Sequence, residues 1–303
     1  MFIRQSRAFH STSQQAKGRL ILTFFTSETN IESLLVIFSG GTGIIEALAL
    51  TIICLIRTNS LYADKSLLYE KKIFGGVFNE WRVKRVNKLE YIFSQGWFQN
   101  KKVLELGCAF GNIGLYLKSL GAEVTFADAR QEALDAVRRK DAGTELILLD
   151  QEQPWSLDRK FDLILHFGLL YNLDNWEADL RCTIPQAQFT ALETAVARYT
   201  DDFECKIVNP HYPYKIYGPN SGTGTLVSSS NIENVLCALG TDFHRYDDSD
   251  LNMRDDWDDF CYDWVEEEGP LEEFKETPIV HDWGSRHLGG RRFWIIRNNA
   301  WTQ

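Results

Sequence analysis

The feature that most constrains the fold of this chain is a strand, a glycine-rich turn, a helix and a second strand within residues 103–128. Residues 103–106 are a short apolar run, which is typical of a buried parallel strand. The run leads directly into a turn that contains Gly107 and Gly111, and the second strand ends on Asp128. This succession predicts an α/β fold in which ligands bind at the carboxyl ends of the strands.

The turn and the acid together predict a site for a cofactor that contains a nucleoside. Glycines allow the backbone to approach a ligand closely, and the start of the helix offers free N–H groups. The carboxylate of Asp128 can accept two hydrogen bonds from a ribose diol. The dinucleotide pattern G-x-G-x-x-G is not matched, because Ala109 and Asn112 stand where that pattern requires glycine. The alternative interpretation is a glycine turn that only packs tightly.

The spacing Glu105-x-Gly107-x-Ala109-x-Gly111 resembles motif I of the class I S-adenosylmethionine (SAM) methyltransferases. In that family an acid commonly precedes the first glycine at this spacing, and glycine often takes the place of Ala109. The resemblance implies SAM as the cofactor and transfer of its methyl group to an oxygen or nitrogen nucleophile. It also implies a Rossmann-like, seven-stranded mixed sheet with strand order 3-2-1-4-5-7-6 and helices on both faces.

The resemblance assigns cofactor contacts to the ends of several strands. Asp128 would bind the ribose, and Asp150, which follows the apolar run 146–149, would meet the adenine amino group. A fourth strand over residues 161–167 leads into G-L-L-Y-N-L at residues 168–173, which resembles motif IV and the loop after it. The residues predicted to bind the cofactor are Glu105, Gly107, Cys108, Ala109, Gly111, Asp128, Ala129, Asp150, Gln151, His166 and Phe167.

No catalytic base follows from the sequence, because proximity and orientation can carry much of a methyl transfer without one. The candidates are His166, Tyr171, Glu193 and His211. The family usually has histidine where Asn172 stands, so this chain lacks a base at that position. Glu193 is predicted near the end of a fifth strand over residues 189–196, for which a helix is the alternative. His211 lies in residues 200–228, which are predicted to be an irregular substrate-binding insertion or, alternatively, a surface hairpin.

The composition disfavours nucleic acid and metal ions as ligands. A net charge of −10 and a pI of about 5.2 would repel a phosphate backbone. None of the six cysteines stands at C-x-x-C spacing, so neither a zinc site nor a disulfide framework is expected. The acidic segment over residues 247–276 contains D-D-x-D-D at residues 255–259, but it lacks the glycine and final glutamate of a calcium loop. A solvated acidic face is the preferred interpretation, and no metal site is predicted.

The N-terminal part of the chain has a different character. Residues 1–33 form a basic tail rich in Ser and Arg that resembles a mitochondrial presequence, with a disordered tail or a misassigned start as alternatives. Residues 34–56 have the length and hydrophobicity of a single membrane-spanning helix, although Glu46 stands near the middle, and a buried soluble helix is the alternative. Residues 57–77 are predicted to link this helix to a domain over residues 78–298. The chain is therefore expected to be membrane-anchored with mitochondrial targeting, or else cytoplasmic.

These features predict a SAM-dependent methyltransferase that acts on a small molecule or a sugar-like acceptor. The ending G-G-R-R-F-W at residues 289–294, with the earlier G-L-L-Y, resembles methyltransferase domains found beside sugar-modifying genes in microbes. Two other classes remain open: a non-catalytic Rossmann-like protein that serves as a scaffold at a membrane, and an NAD-binding protein. Neither the acceptor nor the oligomeric state follows from the sequence.

Overall fold

The computed structural model of the chain describes residues 13–16, 19–22, 65–71, 76–208, 223–247, 279–280 and 289–301. The chain divides into two compact units, Met1–Tyr62 and Ala63–Gln303. In the first unit, β1 (Ser13–Ala16) and β2 (Arg19–Leu22) form an antiparallel hairpin. Across the described ranges, no helix is long and apolar enough to cross a membrane. The predicted span over residues 34–56 lies outside those ranges, so the membrane anchor and the targeting segment stay predictions.

The second unit is built on a mostly parallel, seven-stranded sheet. The strands of this unit are β3 (Lys102–Leu106), β4 (Glu123–Asp128), β5 (Glu145–Leu148), β6 (Phe161–Phe167), β7 (Ala187–Ala197), β8 (Glu204–Val208), β9 (Thr223–Val227), β10 (Asp242–Tyr246), β11 (Ile279–Val280) and β12 (Gly289–Arg297). The main sheet has the order β5-β4-β3-β6-β7-β12-β10. Neighbours from β5 to β7 are parallel, and β12 is antiparallel to both β7 and β10. Counted along the chain, this is the predicted order 3-2-1-4-5-7-6.

The fifth strand of the main sheet, β7, resolves the ambiguity over residues 189–196 in favour of a strand. It pairs with β6 on one side and with β12 on the other. A central strand buries both of its faces, so its position in the sheet outweighs the helical period of its sequence. Glu193 does not lie near the end of this strand, as expected from the sequence, but in its interior, because the strand continues to Ala197.

Helices cover both faces of the main sheet. The described helices are α1 (Val77–Phe93), α2 (Asn112–Ser119), α3 (Gln131–Lys140), α4 (Trp176–Thr183) and α5 (Ser229–Ala238). Helices α1, α2 and α3 pack on one face, in a core that includes Val86, Leu134 and Leu165. Helices α4 and α5 pack on the other face, in a core that includes Leu180 and Trp294. The face that carries α1 is the one that matters for the site described below.

A smaller sheet lies beside the main one. Strand β8 pairs antiparallel with β9, and β11 lies parallel to β8. Strands β8 and β9 fall at the two ends of residues 200–228, which were predicted to be an irregular insertion or a hairpin. The antiparallel pairing of these two strands is that of a hairpin. Residues 209–222, which include His211, lie outside the described ranges, as do residues 248–278 of the acidic segment.

The hairpin supports the loop that follows β6. Gly224 of β9 approaches this loop so closely that a Cβ at its position would lie 2.2 Å from the carbonyl oxygen of Tyr171. The Nζ of Lys206 donates hydrogen bonds to the Oδ1 of Asp174 at 3.0 Å and to its carbonyl oxygen at 3.2 Å. These contacts hold the predicted motif IV loop against the carboxyl end of the main sheet.

Candidate active site

A cleft of about 1190 Å³, measured with its open mouth, lies at the carboxyl ends of β3, β4 and β6 and beside α1. The predicted cofactor-binding residues that line it are Glu105, Gly107, Cys108, Ala109, Asp128, Ala129, Asp150, Gln151 and Phe167. Gly111 and His166, which were also predicted, do not line it. The fold therefore brings the ends of several parallel strands to one cavity, as expected for an open α/β sheet.

The glycine turn between β3 and α2 has a backbone conformation that favours glycine. Gly107 and Gly111 have φ values of +57° and +67°. A Cβ at Gly111 would lie 2.8 Å from Cγ2 of Val137 in α3, so this glycine allows close packing below the cleft rather than lining it. Ala109 has a φ of +47°, so this chain carries a side chain where a glycine would be less strained.

Asp128 is buried at the end of β4, and its carboxylate is held by four hydrogen bonds. Its Oδ2 accepts one from the backbone N of Ala109 at 2.9 Å and one from Nη2 of Arg130 at 3.2 Å. Its Oδ1 accepts from the backbone N and from Nε of Arg130, both at 3.0 Å. Because a carboxylate has about four acceptor sites, these bonds fill them. Two of the donors are backbone N–H groups, which fix the carboxylate in the wall of the cleft.

Glu105 is buried between β3 and the first turn of α2. Its Oε2 accepts a hydrogen bond from the backbone N of Gly114 at 3.0 Å. Burial raises the pKa of Glu105 from 4.5 to about 8, because the charged form loses its hydration. The carboxyl group is therefore largely protonated at neutral pH.

Gly114 makes room for Glu105 and is a site residue that was not predicted from the sequence. A Cβ at Gly114 would lie 2.6 Å from Oε2 of Glu105 and 2.4 Å from Cε1 of Phe126. A glycine inside a predicted helix was the available signal, because it costs helix stability and usually has a packing reason.

The loop after β5 forms the wall opposite α1. Asp150 is exposed at the cleft, and its Oδ1 accepts a hydrogen bond from the backbone N of Glu152 at 3.1 Å. The Nε2 of Gln151 is buried and has no hydrogen-bond partner among the described residues. Glu152 accepts hydrogen bonds from the backbone N atoms of Asp174 and Asn175, at 2.6 and 3.1 Å, and so anchors the approach to α4. Gln151 thus presents a buried donor that a ligand could satisfy.

The other end of the cleft is rich in arginine and aromatic side chains. We call it the arginine end, and it consists of Trp81, Arg85, Phe167, Gly168, Tyr171 and Arg291. Arg85 of α1 donates a hydrogen bond to Oε2 of Glu193, and Nε of Arg291 donates one to Oε1 at 2.5 Å. The Glu193 side chain is 0% exposed and does not line the cleft. It therefore positions the two arginines and is not itself available to a ligand.

Two of the predicted catalytic candidates need correction. His166 is fully buried, and its Nε2 lies 2.7 Å from Oδ2 of Asp179 in α4. Successive side chains of a strand point to opposite faces of the sheet, so Phe167 faces the cleft and His166 faces α4. The expectation that His166 contacts a ligand or acts as a base is therefore not met. Glu193 does not meet it either, because Arg85 and Arg291 hold its carboxylate.

Tyr171 is the candidate that the structure brings to the cleft. It lies in the 3₁₀ turn after β6, and its neighbour Asn172 also lines the cavity. The Nδ2 of Asn172 donates a hydrogen bond to the carbonyl oxygen of Gly168 at 3.1 Å, so this side chain shapes the loop. His211 lies outside the described residues, and its role stays a prediction.

Among the described residues, neither the Cys108 thiol nor the potential metal-ligating side chains have what nucleophilic or metal chemistry needs. Burial raises the pKa of the Cys108 thiol well above its usual value, so the thiol stays protonated and is a poor nucleophile. In the part of the chain that the structure describes, there is no group of three or more His, Cys, Asp or Glu residues that could hold a metal ion.

A protein-family model matches part of the second unit. Residues 79–185 match a family model described as a methyltransferase domain. The match runs from α1 to the turn before β7, and it includes the glycine turn, Asp128 and Tyr171. Arg291 of the arginine end and Glu193, which pairs with it, lie beyond the match. A search of curated proteins found no similar sequence.

Several solved structures are similar to this chain at low sequence identity. The N-terminal domain of EvdMO1, crystallised in the presence of S-adenosylhomocysteine (SAH) and D-fucose, has a TM-score of 0.50 and 16% identity, covering 74% of this chain and 85% of that one. A SAM-dependent methyltransferase from Mesorhizobium loti has a TM-score of 0.47 and 13% identity, covering 71% and 97%. Magnesium protoporphyrin IX methyltransferase from Synechocystis PCC 6803, with bound SAM, has a TM-score of 0.45 and 12% identity, covering 80% and 96%.

Proposed function

We propose that this chain is a SAM-dependent methyltransferase that transfers a methyl group to an oxygen or nitrogen atom of a small or sugar-like acceptor. The observation that carries the proposal is the single cleft that collects Glu105, the glycine turn, Asp128 and Gln151. When bound, SAM supplies a methyl group on a sulfonium, which an acceptor nucleophile can take up directly. The methyltransferase domain match over residues 79–185 supports the same chemistry.

The residues of the cleft fit this cofactor. Gly107 has no side chain, and Leu169 fills the space that a Cβ there would take, so the turn would meet the methionine part of the cofactor with its backbone. A ribose diol at Asp128 would take the acceptor sites now held by the Arg130 guanidinium, while the backbone donors keep the carboxylate in place. Asp150 offers an exposed carboxylate to an adenine amino group, and the unpartnered Nε2 of Gln151 could donate to a ring nitrogen.

The chain's own residues would bind and orient the reactants rather than supply a strong base. Among the candidates that the structure describes, Tyr171 remains as a group that could contact the nucleophile, since it lines the cleft in the loop after β6. Positioning alone can account for a large part of the rate of such a transfer. The D-fucose present with the EvdMO1 domain is a reason to include sugars in a panel of acceptors.

The cofactor is tested by calorimetric titration of the full chain with SAH and, separately, with NAD. We expect SAH to bind and NAD not to bind. Asp128→Asn should weaken SAH binding by roughly ten- to a hundredfold, because it removes a charged acceptor from the ribose. Asp135→Asn is the matched control, since Asp135 lies on the exposed side of α3 and pairs with Arg138. A folded wild-type protein that gives heat with NAD but none with SAH would contradict the proposal.

The acceptor is tested by mass analysis of products after incubation with SAM and a panel of sugars, lipids and small phenols. A gain of one methyl group on one class of acceptor is the expected result. A protein that binds SAH with no methylated product from any class would favour the non-catalytic alternative.

A further inference from the structure

One buried carboxylate, that of Glu193, pairs with two arginines at the arginine end, which leaves a net positive charge there. Arg85 and Arg291 come from α1 and β12, and both line the cleft next to Tyr171. We propose that these two arginines bind a carboxylate on the methyl acceptor, and that the acceptor carries this group on a flat, apolar body. The inference rests on the proposed function, because it concerns the acceptor side of the same cleft.

The guanidinium groups of Arg85 and Arg291 converge on one point of the cleft wall. A Cβ at Gly168 would lie 3.3 Å from Nη2 of Arg85 and 3.4 Å from Nη2 of Arg291. Gly168 directly follows β6 and has a φ of +63°, so the chain bends there without a side chain. The two Nη2 atoms, which also share Oε2 of Glu193 as an acceptor, therefore lie near each other beside an open stretch of backbone in the wall of the cleft.

Arg85 keeps hydrogen-bond donor capacity beyond its contact with Glu193. Its Nε is buried and has no hydrogen-bond partner among the described residues. A guanidinium has five N–H donors in a rigid fork, and this fork matches the two oxygens of a carboxylate. A buried donor without a partner is costly, and an acceptor anion would satisfy it.

Aromatic rings hold both arginines in place before any ligand binds. The guanidinium carbon of Arg291 lies 4.4 Å from the ring centre of Trp81, and that of Arg85 lies 5.3 Å from the same ring. Tyr171 and Phe167 add a second ring to each arginine, at 5.2 and 5.5 Å. Side chains that are already ordered lose little entropy on binding, and such preorganisation favours affinity. The same rings form the apolar walls that a flat acceptor body would meet.

The charge of the arginine end is opposite in sign to that of the chain as a whole. The chain as a whole has a net charge of −10, so its average field repels anions. The nearby carboxyl of Glu105 is largely protonated near neutral pH, because burial raises its pKa to about 8, and it offsets little of the local positive charge. An anionic group of the substrate is therefore attracted to the arginine end and repelled elsewhere, which would orient the substrate in the cleft.

The test compares benzoate with benzamide, which has the same shape and no charge. Each is titrated by calorimetry into the SAH-loaded chain and into the ligand-free chain, with inorganic phosphate as a third probe. We expect benzoate to bind at least about tenfold more tightly than benzamide. A hydrogen bond to a charged group contributes enough free energy to account for such a ratio. This comparison uses the wild-type protein and does not depend on the folding of any variant.

Variants locate the effect. Arg291→Gln should abolish the preference for benzoate, and Arg291→Lys should restore part of it, because lysine keeps the charge and loses the fork. Arg297→Gln is the matched control, since Arg297 lies on the same strand, is 60% exposed and pairs with Asp242 outside the cleft. It should leave the preference unchanged.

Several outcomes would overturn the inference. Equal binding of benzoate and benzamide would make the arginines a purely structural ion cluster. Tighter binding of phosphate than of benzoate would replace the carboxylate with a phosphate. A larger loss of SAH affinity than of benzoate affinity in Arg291→Gln would assign the arginines to the carboxylate of the cofactor. If SAH fails to bind while the ligand-free chain still prefers benzoate, the proposed function falls and the anion subsite stands.

Discussion

The two ends of the cleft are built in different ways. The cofactor end draws its residues from a short part of the chain, between Glu105 and Glu152, and relies on backbone conformation and backbone donors. The arginine end draws on α1, on β6 with the loop after it, and on β12. Glu193 of β7, which pairs with its two arginines, lies 108 residues from Arg85 and 98 residues from Arg291. Local geometry thus makes the cofactor end, whereas long-range packing makes the arginine end.

The two ends also lower the stability of the fold in different ways. The cofactor end accepts backbone strain at Ala109 and a buried, protonated Glu105, both of which cost stability. The arginine end accepts the desolvation of an ion triad, which is compensated only while all three members are present. The two ends should therefore respond differently to substitution.

The largest effect on stability is expected from Glu193→Gln. Loss of this carboxylate leaves the guanidinium groups of Arg85 and Arg291 without their shared anion, which should lower the free energy of unfolding by roughly 3 kcal/mol. Chemical denaturation measures this loss, and SAH affinity should change less than about threefold. Glu177→Gln is the control, because Glu177 forms an exposed ion pair with Arg181, and it should leave the midpoint of denaturation unchanged. A large loss of SAH affinity in the folded Glu193 variant would show that the two ends are not independent.

Gly114→Ala should produce the next largest effect and should act on the cofactor end. Its Cβ would clash with Phe126 and with the Glu105 carboxyl, which should cost about 1–3 kcal/mol of stability and at least about tenfold in SAH affinity. Gly143→Ala is the control, because the nearest atom to a Cβ there is 3.7 Å away. Denaturation midpoints and calorimetry measure both quantities. Wild-type affinity in the Gly114 variant would contradict the role given to Glu105.

The raised pKa of Glu105 predicts the pH dependence of stability. Between its ordinary value of 4.5 and about 8, the folded chain holds a proton that the unfolded chain releases. Stability should therefore fall as the pH rises through this window, by up to roughly 1.4 kcal/mol per pH unit from this group.

Denaturation at several pH values tests the slope. Glu105→Gln should remove this contribution, because glutamine keeps the acceptor for the Gly114 N–H and does not titrate. Glu132→Gln, at the exposed start of α3, should keep the wild-type slope. Equal slopes in the wild type and in Glu105→Gln would mean that the Glu105 carboxyl is ionised in the fold.

The smallest effect is expected from Ala109→Gly, and it is a gain. Glycine relieves the left-handed strain at φ +47° but adds freedom to the unfolded chain, so the net gain in stability should be about 0.5–1 kcal/mol. Ala142→Gly, in an exposed turn outside the left-handed region, should give no gain. A loss of stability in Ala109→Gly would show that the Ala109 methyl group packs usefully against its surroundings.

The cofactor end was predictable because its signals are close together in the chain. The strand, the glycine turn and Asp128 form one continuous unit, and the order of the seven strands followed from the family resemblance. His166 was misplaced for a simple reason: a strand points alternate residues to opposite faces, and the sequence does not say which face holds the cleft. Glu193 was assigned to the right strand, but the pairing of Arg85 and Arg291 with it was not foreseen.

The sequence by itself determined the α/β sheet, the glycine turn and the acid that follows it, since these depend on local hydrophobic pattern and backbone conformation. Only the tertiary structure decided which side chains face the cleft, and that Arg85, Glu193 and Arg291 meet behind Gly168. The physical reason is that an ion triad joining α1, β7 and β12 leaves no periodic pattern in the chain. Its members become neighbours only when the sheet is assembled and α1 packs across it.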